Sequence, residues 1–383
     1  MAHQFSMSKR KVLVVFGTRP EAVKMAPVCH ALKARPNRFE TIICDTGQHR
    51  EMTAHILSHF NIVPDVPMNI MRPNQTLFHV TNAVLQAFEE VLNHHKPDAV
   101  LVQGDTTSAM AAALSAFYVK CAVGHVEAGL RTHAKYSPFP EEMNRKLISQ
   151  LGDFHFTPTA AATANLLAEG VGRETIWETG NTVVDALEHM LPQLRRASSS
   201  DALKSVVPSL AGKEMILITC HRRESFGDDL RKICQAIRQL AGAHRDFDFV
   251  YPVHLNPNVQ STVKRELSSQ SNVHLIPPQP YDTFLMLMDR AKFILTDSGG
   301  IQEEAYSMRK PILILRKHTE RMEAVNVGYA WLVGCEPEHI VGQAEQVLAD
   351  LGRGADFFTK PNPFGDGKAS ERIVDALDEA LAK

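Results

Sequence analysis

The sequence predicts an α/β fold of two Rossmann-like, doubly wound domains facing a cleft. Three observations carry that expectation. At 383 residues the chain is longer than one hydrophobic core usually organises and suits two. Its strand-like segments are continuous apolar runs, as strands buried on both faces should be. These runs alternate with helix-length stretches, which implies parallel sheets with right-handed crossovers.

The elements follow in order. Lys11–Phe16 (KVLVVF) reads as the first strand. Thr18 and Glu21 have the spacing of a capping box, and Pro20 suits a first helical turn, so a helix is expected to about Lys33. Thr41–Asp45 is a second strand and Glu51–Phe60 a second helix. Leu77–His94 has the period of a long amphipathic helix. Ala99–Gln103 is a buried strand, followed by a small-residue helix over Thr106–Tyr118 and a strand at Cys121–Val126. Phe154–Thr157 and Thr175–Glu178 read as short strands.

The second half repeats the alternation, with strands at Met215–Thr219, Phe247–Pro252, Val273–Ile276, Phe293–Thr296 and Pro311–Leu315. A domain of residues 1–180 is expected, then one of residues 181–365, with a hinge near Gly180. Leu191–Gly212, rich in Ser, Pro and Ala, reads as a surface connection. The last helix, Ala369–Ala382, within a tail of residues 366–383, is a candidate to pack back on the first domain.

Composition excludes several classes. The 41 Lys+Arg against 43 Asp+Glu give no basic excess for a nucleic acid. No apolar run reaches the 18 or so residues that a membrane helix needs. The six cysteines form no C-x-x-C pair, and two lie in or beside apolar runs, so reduced thiols in a cytoplasmic protein are expected. No G-x-G-x-x-G follows a strand, so tightly held NAD is not expected. His55 and His59 share a helix face, but no third ligand is signalled and no metal site is assigned.

In parallel sheets of this kind ligands sit beyond the carboxyl ends of the strands, so the residues directly after each strand matter most. Arg19 and Lys24 follow the first strand beside a helix N-terminus, which favours anions. Asp105 follows Ala99–Gln103 and is either a helix cap or a reacting group. Glu127 follows the next strand directly, with Gly129 and Arg131 after it. Glu141 and Glu142 open a helix after Pro138 and Pro140. Asp105, Glu127 and Glu141 together suggest acid/base chemistry, since carboxylates crowded in one site raise one another's pKa. In the second half His221-Arg-Arg-Glu224 ends a strand, and Asp297-Ser-Gly-Gly300 opens a helix where backbone N–H groups can approach a phosphate. Glu304 lies further along that helix, placed to accept ribose hydroxyls, and Arg321 is a candidate to neutralise a diphosphate.

These motifs have a family pattern. Gly17-Thr-Arg-Pro-Glu21, Gln48-His-Arg-Glu-Met52, Gly104-Asp-Thr-Thr107, Val126-Glu-Ala-Gly-Leu-Arg131, Ser137-Pro-Phe-Pro-Glu-Glu142, Gly180-Asn-Thr182, His221-Arg-Arg-Glu224, Pro252-Val-His-Leu-Asn-Pro257 and Asp297-Ser-Gly-Gly-Ile-Gln-Glu-Glu304 resemble the bacterial non-hydrolysing UDP-N-acetylglucosamine 2-epimerases. The resemblance runs from about Lys11 to the C-terminal helix. It implies a GT-B-type fold, a homodimer, no redox cofactor, and reversible conversion of UDP-GlcNAc to UDP-ManNAc for surface polysaccharide precursors. It implies that Arg19, Lys24, Asp105, Glu127 and His221 surround the substrate, with Glu141 as a third carboxylate. Gln279 and Phe284 would lie near the uracil, Ser298, Gly299, Gly300 and Arg321 at the diphosphate, and Glu304 on the ribose. A second, activating UDP-GlcNAc site would use the stretch around Gln48 and His49, although Glu51 and Asn74 depart from the activated members' pattern.

The implied route is elimination of UDP to 2-acetamidoglucal and re-addition, with the proton returning to the opposite face of C2. Which carboxylate is base and which is acid stays open. So do a hydrolysing epimerase, a 2-epimerase of a modified UDP-amino sugar, and a GT-B glycosyltransferase as alternatives.

Overall fold

In the computed structural model β1 (Arg10–Phe16) sits inside a parallel sheet because both of its faces are apolar and buried. The structure describes residues 9–48, 50–70, 75–197, 203, 206, 207, 213–220 and 227–382. The chain divides into two units, Met1–Ala186 with Phe364–Lys383, and Leu187–Pro363.

The first unit continues with α1 (Arg19–Lys33), β2 (Phe39–Asp45), α2 (Arg50–His59), β3 (Val66–Pro67), α3 (Leu77–His95), β4 (Ala99–Gln103), α4 (Thr107–Tyr118) and β5 (Ala122–Val126). Then come α5 (Glu141–Leu151), β6 (Phe154–Thr157), α6 (Ala160–Ala168), β7 (Ile176–Glu178) and the start of α7 (Thr182–Ala197), which belongs to the second unit from Leu187 onward. Its sheet has the order β3-β2-β1-β4-β5-β6-β7, and every pairing is parallel. The order reverses between β1 and β4, which is where such sheets open for a ligand. A core of Leu13, Val84, Phe88, Val100, Val102 and Ala112 packs α3 and α4 on one face of the sheet.

The capping box at α1 forms as expected: Glu21 N–H donates to Thr18 Oγ1, and Glu21 Oε2 accepts the Thr18 N–H at 2.7 Å. The final helix of the chain, Ala369–Leu381, lies in this unit. Asp185 of α7 accepts its first two N–H groups, from Ala369 and Ser370. Arg35 and Arg38 pair with its Asp375 and Asp378.

The second unit runs β8 (Glu214–Thr219), α8 (Asp228–Ala243), β9 (Phe247–Pro252), α9 (Pro257–Leu267), β10 (Val273–Ile276), α10 (Tyr281–Arg290), β11 (Phe293–Thr296), α11 (Gly299–Ser307), β12 (Ile312–Ile314), α12 (Met322–Val327), β13 (Ala330–Leu332) and α13 (Pro337–Gly352). Its parallel sheet has the order β10-β9-β8-β11-β12-β13, with the reversal between β8 and β11. Ile218, Ile237, Phe249, Tyr251, Leu295 and Ile340 are among its buried core.

One expectation needs correction. The segment read as a surface connection from Leu191 is helical to Ala197, as the end of α7. Leu187, Met190, Leu191 and Leu194 form a buried stripe at helical spacing, and that burial outweighs the local Ser, Pro and Ala content. Among the described residues no helix is long and apolar enough to cross a membrane.

Candidate active site

In the first unit the loops after β1, β2, β4 and β5 are tied together by side chains. Glu21 is buried and also accepts a hydrogen bond from Thr106 Oγ1 at 2.7 Å, linking the loop after β1 to the one after β4. Burial raises its carboxyl above the ordinary range, against the pull of those hydrogen bonds. Ser108 Oγ donates to Gln48 at 3.0 Å, linking the loop after β2 to α4. Gly17 is required by space: a Cβ there would stand 1.8 Å from Thr46 Oγ1. Arg19 is the first residue of α1 and is partly exposed.

Glu127 occupies the turn directly after β5, with φ of 63°. Few non-glycine residues adopt this left-handed conformation, and such strain persists only where the surroundings enforce it. Here they do. Lys24 Nζ lies 2.5 Å from Glu127 Oε1, Asn181 Nδ2 donates to the same oxygen at 3.1 Å, and Gln103 Nε2 donates to Oε2. A Cβ on Gly104 would lie 3.7 Å from that Oε2, so the turn before Asp105 borders Glu127.

Asp105 is not the helix cap: Thr106 caps α4, accepting from Ala109 N–H. The Asp105 carboxylate is instead held by Arg145, whose Nε and Nη2 each lie 2.8 Å from Oδ2. Arg145 comes from α5, one turn after Glu141 and Glu142. Of those two, Glu141 is partly buried in the first turn, and Glu142 is fully enclosed. Beneath these residues His125 is buried, and its Nε2 lies 2.8 Å from the Gly104 carbonyl. Burial lowers its pKa to about 3, so the ring is neutral and this nitrogen donates.

The Gly129-Leu-Arg131 stretch has a structural explanation. Gly129 has φ of 89°, and a Cβ there would meet the Ala162 carbonyl at 2.2 Å. Arg131 is buried and pairs with Glu169 at 2.7 Å and with Ser149.

In the second unit Ser298 is the N-cap residue of α11, yet its side chain makes no capping hydrogen bond. A Cβ on Gly300 would meet open space, whereas one on Gly299 would stand 2.6 Å from Arg321 Nη1. Arg321 therefore lies against the N-terminus of α11. It is buried and bonded to Glu303 at 2.6 Å and Glu320 at 2.7 Å. Glu304 accepts a hydrogen bond from Tyr281 Oη at 2.7 Å. Gln279 donates to the Pro277 carbonyl, and Phe284 is half-buried on α10. His221 and His49 lie outside the described residues, as do Asn74 and the side chain of Glu51.

Sequence reasoning assigned no role to Gln103, Asn181, Glu142, Arg145 or Tyr281. The available signals were a lone polar residue closing an apolar strand (Gln103) and a Glu–Arg pair at i, i+3 (Glu142 and Arg145).

Comparisons with known proteins bear on the family and the fold. A family model described as UDP-N-acetylglucosamine 2-epimerase matches residues 30–378. The chain is 50% identical over 372 residues to the UDP-N-acetylglucosamine 2-epimerase of Escherichia coli (strain K12), covering 96% of this chain and 98% of that protein. The fold matches the crystal structure of UDP-GlcNAc 2-epimerase from Neisseria meningitidis bound to UDP-GlcNAc, with a TM-score of 0.91, 46% identity, and 96% and 100% of the two chains covered. It also matches the Methanocaldococcus jannaschii UDP-GlcNAc 2-epimerase in complex with UDP-GlcNAc and UDP, with a TM-score of 0.80, 34% identity, and 96% and 99% covered.

Proposed function

The chain belongs to the UDP-N-acetylglucosamine 2-epimerase family, and from that premise we propose that it interconverts UDP-GlcNAc and UDP-ManNAc without hydrolysis. The observation that carries this reading is the pair of carboxylates after β4 and β5. Asp105 and Glu127 stand on neighbouring loops, each held by its own cation, Arg145 and Lys24.

The chemistry explains why two such groups are needed. The proton at C2 of the sugar is not beside a carbonyl, so direct removal is too slow. Loss of UDP from C1 makes removal accessible. As the C1–O bond breaks with its electron pair on the diphosphate, a base takes the C2 proton and the C1=C2 bond of 2-acetamidoglucal forms. UDP then adds back while a proton arrives on the opposite face, so the reaction needs at least two acid/base groups. Asp105, Glu127 and Glu141 are the candidates, and carboxylate charge also stabilises the cationic character at C1.

In the second unit the helix start at Ser298–Gly300 offers N–H groups to the diphosphate, with Arg321 against it. Glu304, oriented by Tyr281, receives the ribose hydroxyls, and Gln279 and Phe284 lie with the uracil. His221 and Arg19 assist departure of UDP. The cycle is redox-neutral and needs no redox cofactor. A cytoplasmic homodimer feeding surface polysaccharide synthesis is part of the proposal.

Proton NMR with UDP-GlcNAc in D2O tests it. UDP-ManNAc bearing deuterium at C2, with no free ManNAc, is the expected result. Free ManNAc with an equal amount of UDP means a hydrolysing enzyme. UDP binding without any change to the sugar overturns the assignment of this substrate.

A further inference from the structure

Arg145 is buried on α5 and reaches two carboxylates at once. Its Nε and Nη2 converge on Asp105 Oδ2, each at 2.8 Å, and its Nη1 lies 3.3 Å from Glu142 Oε2. The neighbouring Asn144 donates to the Asp105 backbone carbonyl at 2.9 Å, so one turn of α5 fixes both the main chain and the side chain of Asp105. Among the described residues no donor reaches Asp105 Oδ1, and 28% of that side chain is exposed. Glu142, fully buried, accepts the backbone N–H groups of Thr132 and His133, each at 3.0 Å.

An aspartate carboxylate turns broadly about its last torsion and ordinarily offers either oxygen. A planar guanidinium with two N–H groups on one oxygen removes that freedom. We propose that Arg145 is a positioning residue for the epimerisation, holding Oδ2 so that Oδ1 of Asp105 is the atom that exchanges the C2 proton. Through Glu142 it also ties this carboxylate to the Thr132–His133 turn.

The inference rests on the function proposed above. In the elimination direction Oδ1 takes the C2 proton, the C2–H electron pair becomes the C1=C2 bond, and the C1–O pair leaves on the diphosphate. Re-addition that inverts C2 takes its proton on the opposite face from a second carboxylate, Glu127 or Glu141, as a diphosphate oxygen re-forms the bond to C1, and Oδ1 gives its proton back to C2 only in the reverse reaction.

The test measures steady-state kinetics of Arg145→Ala and Arg145→Lys with UDP-GlcNAc and with its C2-deuterated form, and UDP affinity alongside. Expected for Arg145→Ala is a kcat lower by on the order of a hundredfold, UDP affinity within a few-fold of wild type, and a larger C2 isotope effect. The isotope effect rises because proton transfer becomes more rate-limiting. Added guanidinium ion should restore part of the rate. Arg145→Lys keeps the charge but loses the fork, and should show the same signature more weakly.

A kcat loss with an unchanged isotope effect would mean that Arg145 only supports the fold, and would overturn the proposal. So would wild-type turnover in either variant. If Arg145→Ala does not fold, the isotope effect of Arg145→Lys decides. A wild-type protein that leaves UDP-GlcNAc unchanged overturns the functional reading and this inference with it, whereas an active wild type with insensitive variants overturns this inference alone.

Discussion

Lys24 Nζ stands 2.5 Å from Glu127 Oε1 in an ion pair whose side chains are only 9% and 6% exposed. Removing one member of an enclosed pair leaves a charge with neither water nor its counter-ion, which commonly costs about 3–5 kcal/mol. Lys24→Met is therefore expected to lower stability by an amount of that order in urea unfolding. The double variant Lys24→Met/Glu127→Met should recover much of it, since no isolated charge remains. Simple additivity of the two single changes would show that the pair contributes no coupling.

The same carboxylate is expected to matter for rate more than for binding. Glu127→Gln and Asp105→Asn each keep shape and remove the proton-exchanging group. Each should lower kcat by on the order of a hundredfold or more, with UDP affinity nearly unchanged by calorimetry. Near-normal turnover in both variants would remove these residues from the chemistry.

His125 gives the fold an acid sensitivity with a definite sign. Burial lowers its pKa from 6.5 to about 3, while the unfolded chain keeps the ordinary value. Between these limits the unfolded state binds the extra proton, so stability rises with pH across roughly pH 3 to 6.5 and is fully present above 6.5. His155, also buried and lowered, acts in the same direction. His125→Gln keeps a donor for the Gly104 carbonyl and removes the titration. It should flatten the stability profile by up to about 1.4 kcal/mol per pH unit within that window. An unchanged slope in denaturant titrations at pH 4, 5 and 6 would contradict the assignment.

How far the sequence was legible depends on whether a feature is local. The capping box of Thr18 and Glu21 is set by spacing along one chain segment and forms as read. The continuous apolar strands and their helical alternation are local too. β3 and β13 escaped notice because two- and three-residue strands have no period to detect. The end of α7 reads as a surface connection because Pro192 and the Ser-rich stretch after it dominate composition, whereas its buried leucines decide the structure. At the site, Asp105 and Glu127 were found because each directly follows a strand. The pairings that hold them were not, since Arg145 is 40 residues from Asp105 and Lys24, itself a candidate, is 103 residues from Glu127. Nor does spacing reveal that Glu142, rather than Glu141, is the fully enclosed member of the pair.

Tyr281 and Glu304 offer a test of the second unit by itself. Tyr281 is 5% exposed and Glu304 is 8% exposed, and the phenol donates to Oε1 at 2.7 Å. A hydrogen bond to a charged group contributes about 1.5–3 kcal/mol. Tyr281→Phe removes that donor while keeping the buried ring at the start of α10. If Glu304 accepts the ribose hydroxyls, loss of its orienting bond should weaken UDP binding by roughly tenfold, equal to about 1.4 kcal/mol. Binding of uracil alone should be unaffected, because the base lies with Gln279 and Phe284 in this reading. A variant that binds UDP as tightly as wild type would separate Glu304 from the ribose, and equal losses for uracil and UDP would point to a disturbed α10 instead.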